Sequence, residues 1–114
     1  MTARLTPPTP ATLRTYGLSF EDWLALVQLD GAVCAVCGRL PPSARLHIDH
    51  VHTPGWRQMD PEERRLFVRC LACSQCNRYV IGRSATLSKL RRAVAVFARP
   101  LPFGDEAQAA NDPR

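Results

Sequence analysis

Between residues 34 and 77 the chain reads Cys34-Ala35-Val36-Cys37, then Leu46-His47-Ile48-Asp49-His50-Val51-His52, then Cys70-Leu71-Ala72-Cys73-Ser74-Gln75-Cys76-Asn77. Two Cys-x2-Cys turns, with 35 residues between them, bracket an Asp-His pair, and an asparagine follows directly on the last cysteine. Zinc takes four deprotonated soft or borderline ligands in a tetrahedron, and each turn supplies two thiolates held close by local geometry. Cys34, Cys37, Cys73 and Cys76 therefore read as the ligands of one structural zinc, with no open position for water or substrate. Cys70 and Cys73 form an overlapping Cys-x2-Cys pair, so Cys70 is an alternative ligand. Cys73 and Cys76 are preferred, because Cys70 fits a strand pattern and Cys76 stands where a helix starts. Cys70 is then a buried free thiol.

The residues between and after the turns offer a second chemistry. Asp49 supplies a hard carboxylate oxygen and Asn77 a neutral amide oxygen, the donors that Mg2+ or Mn2+ prefers while retaining waters. Such an ion can polarise a phosphoryl group and stabilise a leaving 3′ oxygen. His50 stands beside Asp49 and fits a general base, since a neutral imidazole near pH 7 can take a proton from an attacking water. His47 and His52 are candidates for orienting the scissile phosphate or their neighbours. The zinc would fix Cys76, and hence Asn77, near the segment that carries Asp49.

Around this centre the periodicities predict a small α+β domain. Ser19 reads as an N-cap with Asp22 near N3, and Phe20, Trp23, Leu24 and Val27 follow as one helical face that Gly31 stops. Arg45–His50 alternates as a strand, with Leu46 and Ile48 on one face and His47 and Asp49 on the other. His50 then falls on the wrong face unless the strand ends or twists. Residues 53–65 read as a loop with a turn at Thr53-Pro54-Gly55 and a short helical turn at Asp60-Pro61-Glu62-Glu63. Leu66–Leu71 is the second strand. One helix is expected from Ser74 to about Gly82, and another from Ser84 to Ala98 with Leu87, Leu90, Val94 and Phe97 on one face. Prolines crowd both ends, so residues 1–14 and 100–114 read as arms around a working domain of 15–99.

Length and charge narrow the function. A core this small often needs a metal or disulfides. With no signal-peptide pattern at Met1 and no apolar run of about 20 residues, a reducing compartment is expected, where cysteine pairs bind zinc. Residues 31–99 carry twelve basic and four acidic side chains, and fourteen of the fifteen basic residues of the whole chain are arginine. Arginine binds phosphate in a bidentate manner, so a polyanionic partner, most simply DNA, is expected.

These motifs together resemble the HNH, or ββα-metal, endonucleases of the phage recombination endonuclease VII type. The resemblance covers roughly Tyr16 to Gly82. It is carried by Tyr16-Gly17-Leu18-Ser19-Phe20-Glu21-Asp22-Trp23, by Gly31-Ala32-Val33-Cys34 through Gly38, by Leu46–His52 and by Val68–Asn77. It implies a zinc-stabilised, treble-clef-like hairpin and helix around one catalytic metal, with Asp49 and Asn77 as its ligands and His50 as general base. It implies insertion at the minor groove and cleavage to 5′-phosphate and 3′-hydroxyl ends. In that frame Arg69, Arg78 and Arg83 lie near the site to hold phosphates, and Arg64 and Arg65 reach a flanking strand. The cytoplasm of a bacterial or phage-infected cell is the expected setting, with a monomer and a homodimer both open. The sequence departs from the group by lacking an asparagine between His52 and Cys73, by Cys70 standing where glycine is usual, and by a long stretch from Thr53 to Leu66.

The leading expectation is a divalent-metal-dependent DNA endonuclease that nicks or cuts duplex DNA, with branched DNA as a further candidate substrate. One rival is a zinc-stabilised module that binds nucleic acid without cutting it, which leaves Asp49, His50 and Asn77 unexplained. Another is a zinc-stabilised protein-interaction domain, which predicts no salt-sensitive DNA affinity.

Overall fold

The computed structural model describes residues 5–104. The described chain forms two compact units, divided after Arg83. The first contains helix α1 (Pro10–Thr15), helix α2 (Phe20–Leu29), strand β1 (His47–His50), a 3-10 turn (Trp56–Gln58), helix α3 (Pro61–Arg65), strand β2 (Val68–Ala72) and helix α4 (Ser74–Tyr79). The second holds helix α5 (Leu87–Ala98). This is a small α+β architecture, as expected.

The anticipated start of α2 is present. The Ser19 N–H donates to Asp22 Oδ2 at 2.9 Å and the Asp22 N–H donates to Ser19 Oγ at 3.0 Å, which satisfies two otherwise orphaned donors. The apolar face is turned from the expected one. Trp23 is buried and Leu26 and Val27 pack on the same core, whereas Phe20 and Leu24 are exposed. The core touches only the side spaced i, i+3 and i+4 from Trp23, which leaves the first turn out of it.

Residues 10–14, within the stretch read as an arm, lie in α1; residues 1–4 lie outside the described part. Pro10 opens α1 behind the N-cap Thr9, and Leu13 is buried against Trp23, Ile48 and Leu71. Leu5 packs on the same cluster, and the Thr6 N–H donates to the Ala44 carbonyl at 2.7 Å. Two leucines are too few to show a period, yet each contributes apolar burial to the core. Of the tail expected over 100–114, residues 105–114 lie outside the described part.

Strands β1 and β2 pair antiparallel as a hairpin with His47 opposite Ala72, Ile48 opposite Leu71, Asp49 opposite Cys70 and His50 opposite Val68. Arg69 has no partner, so β2 bulges there. Leu71 joins the first core cluster, whereas Ala72 joins a second one with Cys34 and Cys76. β2 thus runs between the hydrophobic core and the cysteines. Ile48 lies with Leu71 in the first cluster, whereas Asp49 lies with Cys70 towards the second, and both are buried. The bulge brings Arg69 as well as Cys70 to that carboxylate and covers it.

α4 is shorter than expected and ends at Tyr79. Gly82 closes on it so tightly that a Cβ there would lie 2.4 Å from the Arg78 carbonyl oxygen. In the second unit no residue of α5 is buried, so the anticipated stripe has no cover among the described residues of its own unit. No helix among the described residues is long and apolar enough to cross a membrane.

Candidate active site and metal centre

The candidate metal centre is built from two tight turns and the start of α4. The Sγ atoms of Cys34, Cys37, Cys73 and Cys76 all lie within 4.8 Å of one another. Four sulfurs at ~2.3 Å from a tetrahedral zinc stand about 3.8 Å apart, so the set is close to the spacing that zinc needs. Backbone amides aim at the sulfurs: Val36 N–H and Cys37 N–H donate to Cys34 Sγ at 3.4 and 3.5 Å, and Cys76 N–H donates to Cys73 Sγ at 3.5 Å. Burial pushes the Cys34 thiol up, but the N–H donors of Cys37, Cys73 and Val36 outweigh it and bring it down to about 6. Burial and the surrounding thiols push Cys76 up, a cost that a cation among the four sulfurs removes. Cys70 is not in the cluster, whose members are those of the preferred pair.

Cys70 belongs to Asp49 instead. Its thiol lies 3.7 Å from Asp49 Oδ2, and burial followed by the carboxylate charge pushes it up to about 11. Asp49 is 1% exposed and is held by Arg69, whose Nε donates to Oδ2 at 2.6 Å and whose Nη2 donates to Oδ1 at 3.3 Å. The same Nη2 also reaches the carbonyls of His50 and Ile81, each at 3.4 Å. Arg69 therefore stitches β1 to the chain just after α4. It was expected at phosphate and is found on the carboxylate, because the bulge points it there. Asn77 sits in α4, which packs against β1, and its N–H donates to the Cys73 carbonyl at 2.8 Å.

His50 follows the bulge and stands in an aromatic cluster. Its ring stacks on Trp56 with centroids 4.1 Å apart and planes 17° from parallel. The His52 ring lies 4.8 Å from it and the Tyr16 ring 5.7 Å. Burial lowers the His50 pKa from its ordinary value, the His52 charge lowers it further, and Asp49 partly opposes both. A cleft of about 370 Å3 opens beside it, lined by His50, His52, Trp56, Arg57, Gln58 and Arg83 among others. His47 is exposed on β1. Trp56 and Arg57 escaped the sequence reading; only the length of the 53–66 connection hinted at them.

The other arginines divide, among the described residues, into those at the cleft or surface and those bound to the protein. Arg83 and Arg57 line the cleft, and Arg78 lies 5.5 Å over the Tyr79 ring. Arg65, expected at a flanking strand, pairs with Asp22 at 2.8 Å. Arg64, with the same expectation, donates to the carbonyls of Trp56, Thr15 and Arg57 at 3.3, 3.0 and 2.8 Å. Both are spent on the protein because α3 packs against the start of α2 and the end of α1.

A family model described as recombination endonuclease VII matches residues 10–99, from the first residue of α1 to just past the end of α5. The chain belongs to the recombination endonuclease VII family. Among curated relatives, the Gene 59 protein of Mycobacterium phage D29 is 31% identical over 90 residues, and the Gene 59 protein of Mycobacterium phage L5 is 28% identical over 90 residues. Each alignment covers 77% of this chain and 48% of the relative, so the chain spans about half the length of the curated relatives it matches. No solved structure matches. The family match takes in the thiol cluster, Asp49, His50 and Asn77 alike.

Proposed function

We propose that the protein is a divalent-metal-dependent DNA endonuclease of the HNH type, built as a ββα-metal domain from β1, β2 and α4 and stabilised by a four-cysteine zinc. The observation that carries this reading is the placement of His50. It follows a buried carboxylate at a β-bulge and opens on a cleft that also holds His52, Arg57 and Arg83. Family membership adds the reaction class, hydrolysis of a phosphodiester.

In this reading His50 takes the proton of the attacking water on an imidazole nitrogen. Its desolvation by Trp56 and the nearby rings keeps it unprotonated at neutral pH. Arg83, Arg57 and His52 hold phosphate oxygens along the cleft. Asp49 and Asn77 would hold Mg2+ or Mn2+, which would supply charge stabilisation for the phosphoryl group and the leaving 3′ oxygen. The donor types suit such an ion, and Arg69 must release at least one Asp49 oxygen to admit it. The freed guanidinium then becomes available to phosphate.

One observation favours a second reading, a zinc-stabilised DNA-binding module without catalysis: both oxygens of Asp49 are occupied by Arg69. A nicking assay separates the two. Supercoiled plasmid and a branched oligonucleotide are incubated with Mg2+, Mn2+ or EDTA, with His50→Ala as control. The nuclease reading expects nicking that needs the ion and His50. Binding without ion-dependent nicking sinks it and leaves the module.

A further inference from the structure

The strands of the hairpin are joined by residues 51–67, although antiparallel neighbours need only about 2–5 residues and a connection beyond about 12–15 commonly has a task of its own. In this molecule the connection folds back over β1. Gly55 takes φ 81° and starts the 3-10 turn, which carries Trp56, and α3 follows with Arg64. Trp56 thereby meets both the Arg64 guanidinium and the His50 ring. The Arg64 guanidinium lies 4.6 Å over the Trp56 ring, and the His50 ring stacks on that ring at 4.1 Å.

Two details show what holds the stack. The Trp56 indole N–H is buried and has no acceptor among the described residues, so no hydrogen bond of its own fixes the ring. Arg64 is instead fixed by three carbonyls, those of Trp56, Thr15 and Arg57. A planar guanidinium pinned at three acceptors makes a rigid plate, and it attracts an aromatic face through the ring quadrupole. Rigidity therefore passes from α1 and α3 through Arg64 to Trp56, and from Trp56 to the imidazole.

We propose that Trp56, braced by Arg64, is the positioning residue for His50, and that the long 51–67 connection exists to deliver it. The braced indole holds the imidazole where it lines the cleft. This rests on the reading of His50 as the general base. A base held loosely spends most of its time misaligned, and a displacement of about 1 Å costs up to about 100-fold in rate.

The test uses the full chain and its Trp56→Ala, Trp56→Phe, Arg64→Lys and Arg64→Ala variants, with His50→Ala as reference. Zinc content is checked in each, so that a variant that has lost its fold is recognised. The first readout is the chemical shift of the His50 ring protons, which the indole moves upfield. We expect the shift to vanish in Trp56→Ala, and to shrink in Arg64→Lys although the tryptophan is still present. The second readout is nicking kinetics. Trp56→Ala is expected to lose about 10–100-fold in kcat with KM within about twofold. Trp56→Phe, which keeps a stacking face, recovers most of it.

Unchanged kcat in zinc-loaded Trp56→Ala, with His50→Ala inactive, overturns this proposal alone. So does an unmoved His50 shift. A fall in kcat matched by a rise in KM and a loss of zinc also overturns it, because the role is then structural. If the unaltered protein and His50→Ala nick alike, the nuclease reading of His50 falls and this proposal falls with it. Should Arg64→Ala fail to fold, Arg64→Lys and the two Trp56 variants decide.

Discussion

The Arg69 guanidinium holds both carboxylate oxygens of Asp49, with Nε 2.6 Å from Oδ2 and Nη2 3.3 Å from Oδ1. Asp49 is buried and the Arg69 side chain is 44% exposed, so the pair closes a charged site from its solvent side. A cation and the guanidinium compete for the same oxygens. Arg69→Gln leaves a buried carboxylate uncompensated and is expected to cost about 1–3 kcal/mol in EDTA, below the range of a fully buried pair because the guanidinium is half in water. Millimolar Mn2+ should restore the melting temperature of this variant more than it raises that of the unaltered protein. Thermal unfolding with and without Mn2+ checks this, and equal Mn2+ effects on the two proteins argue against Asp49 as a metal ligand.

Zinc content separates the five cysteines. Cys37→Ser or Cys76→Ser removes one of four clustered sulfurs and should abolish stoichiometric zinc and the cooperative unfolding transition. Cys70→Ala lies outside the cluster and should keep one zinc per chain. Metal analysis by mass spectrometry reads both, and a zinc-free Cys70→Ala protein would contradict the assignment.

The pH dependence of nicking follows from His50. Its folded pKa is lowered, chiefly by burial, so the neutral base persists below the ordinary histidine range of about 6.5. The rate should be flat through neutrality and fall only in more acidic solution, as the ring gains its proton. Stability carries the same sign: the unfolded chain takes up that proton at a higher pH, so this contribution is present above the unfolded pKa and lost as pH falls. Initial rates between pH 5 and 8 provide the check. A rate already halved at pH 7 would contradict it.

Gly17 has φ +69°, and a Cβ built on it would lie 2.0 Å from the Pro61 carbonyl oxygen. Gly17→Ala meets both a disfavoured backbone region and a clash with main chain that cannot rotate away. A loss of about 2 kcal/mol or more is expected in urea unfolding. A change within about 0.5 kcal/mol would mean that α3 does not pack there.

Arginine usage should appear in the salt dependence of DNA binding. Arg83→Ala removes a guanidinium that lines the cleft and should weaken binding across sequences while reducing the salt slope by about 1. Arg65→Ala removes one committed to Asp22 and should leave the slope unchanged. Fluorescence anisotropy at several salt concentrations distinguishes them.

The parts that were legible in the sequence rest on short-range spacing. Two Cys-x2-Cys turns, a Ser19–Asp22 capping box and a proline at the head of a short helix each declare themselves within a few residues. The need for a twist at His50 was also visible, because a period of two could not put it beside Asp49. What stayed hidden depends on partners far along the chain. Arg64, Arg65 and Arg69 look alike as letters, but the first finds carbonyls, the second Asp22 and the third Asp49. Leu13 carries no periodic signal, and Trp56 lies in a connection whose path is set by packing. The Arg69 bulge depends on the register of two strands, which neither strand encodes alone.

A single strand of five residues, β2, serves both centres. Arg69 and Cys70 reach the carboxylate, while Ala72 sits among the thiols and Cys73 follows immediately. No slack joint separates scaffold from chemistry. An oxidant or chelator that disturbs the sulfurs transmits its damage along one rigid segment, so such a protein fails abruptly and does not fade.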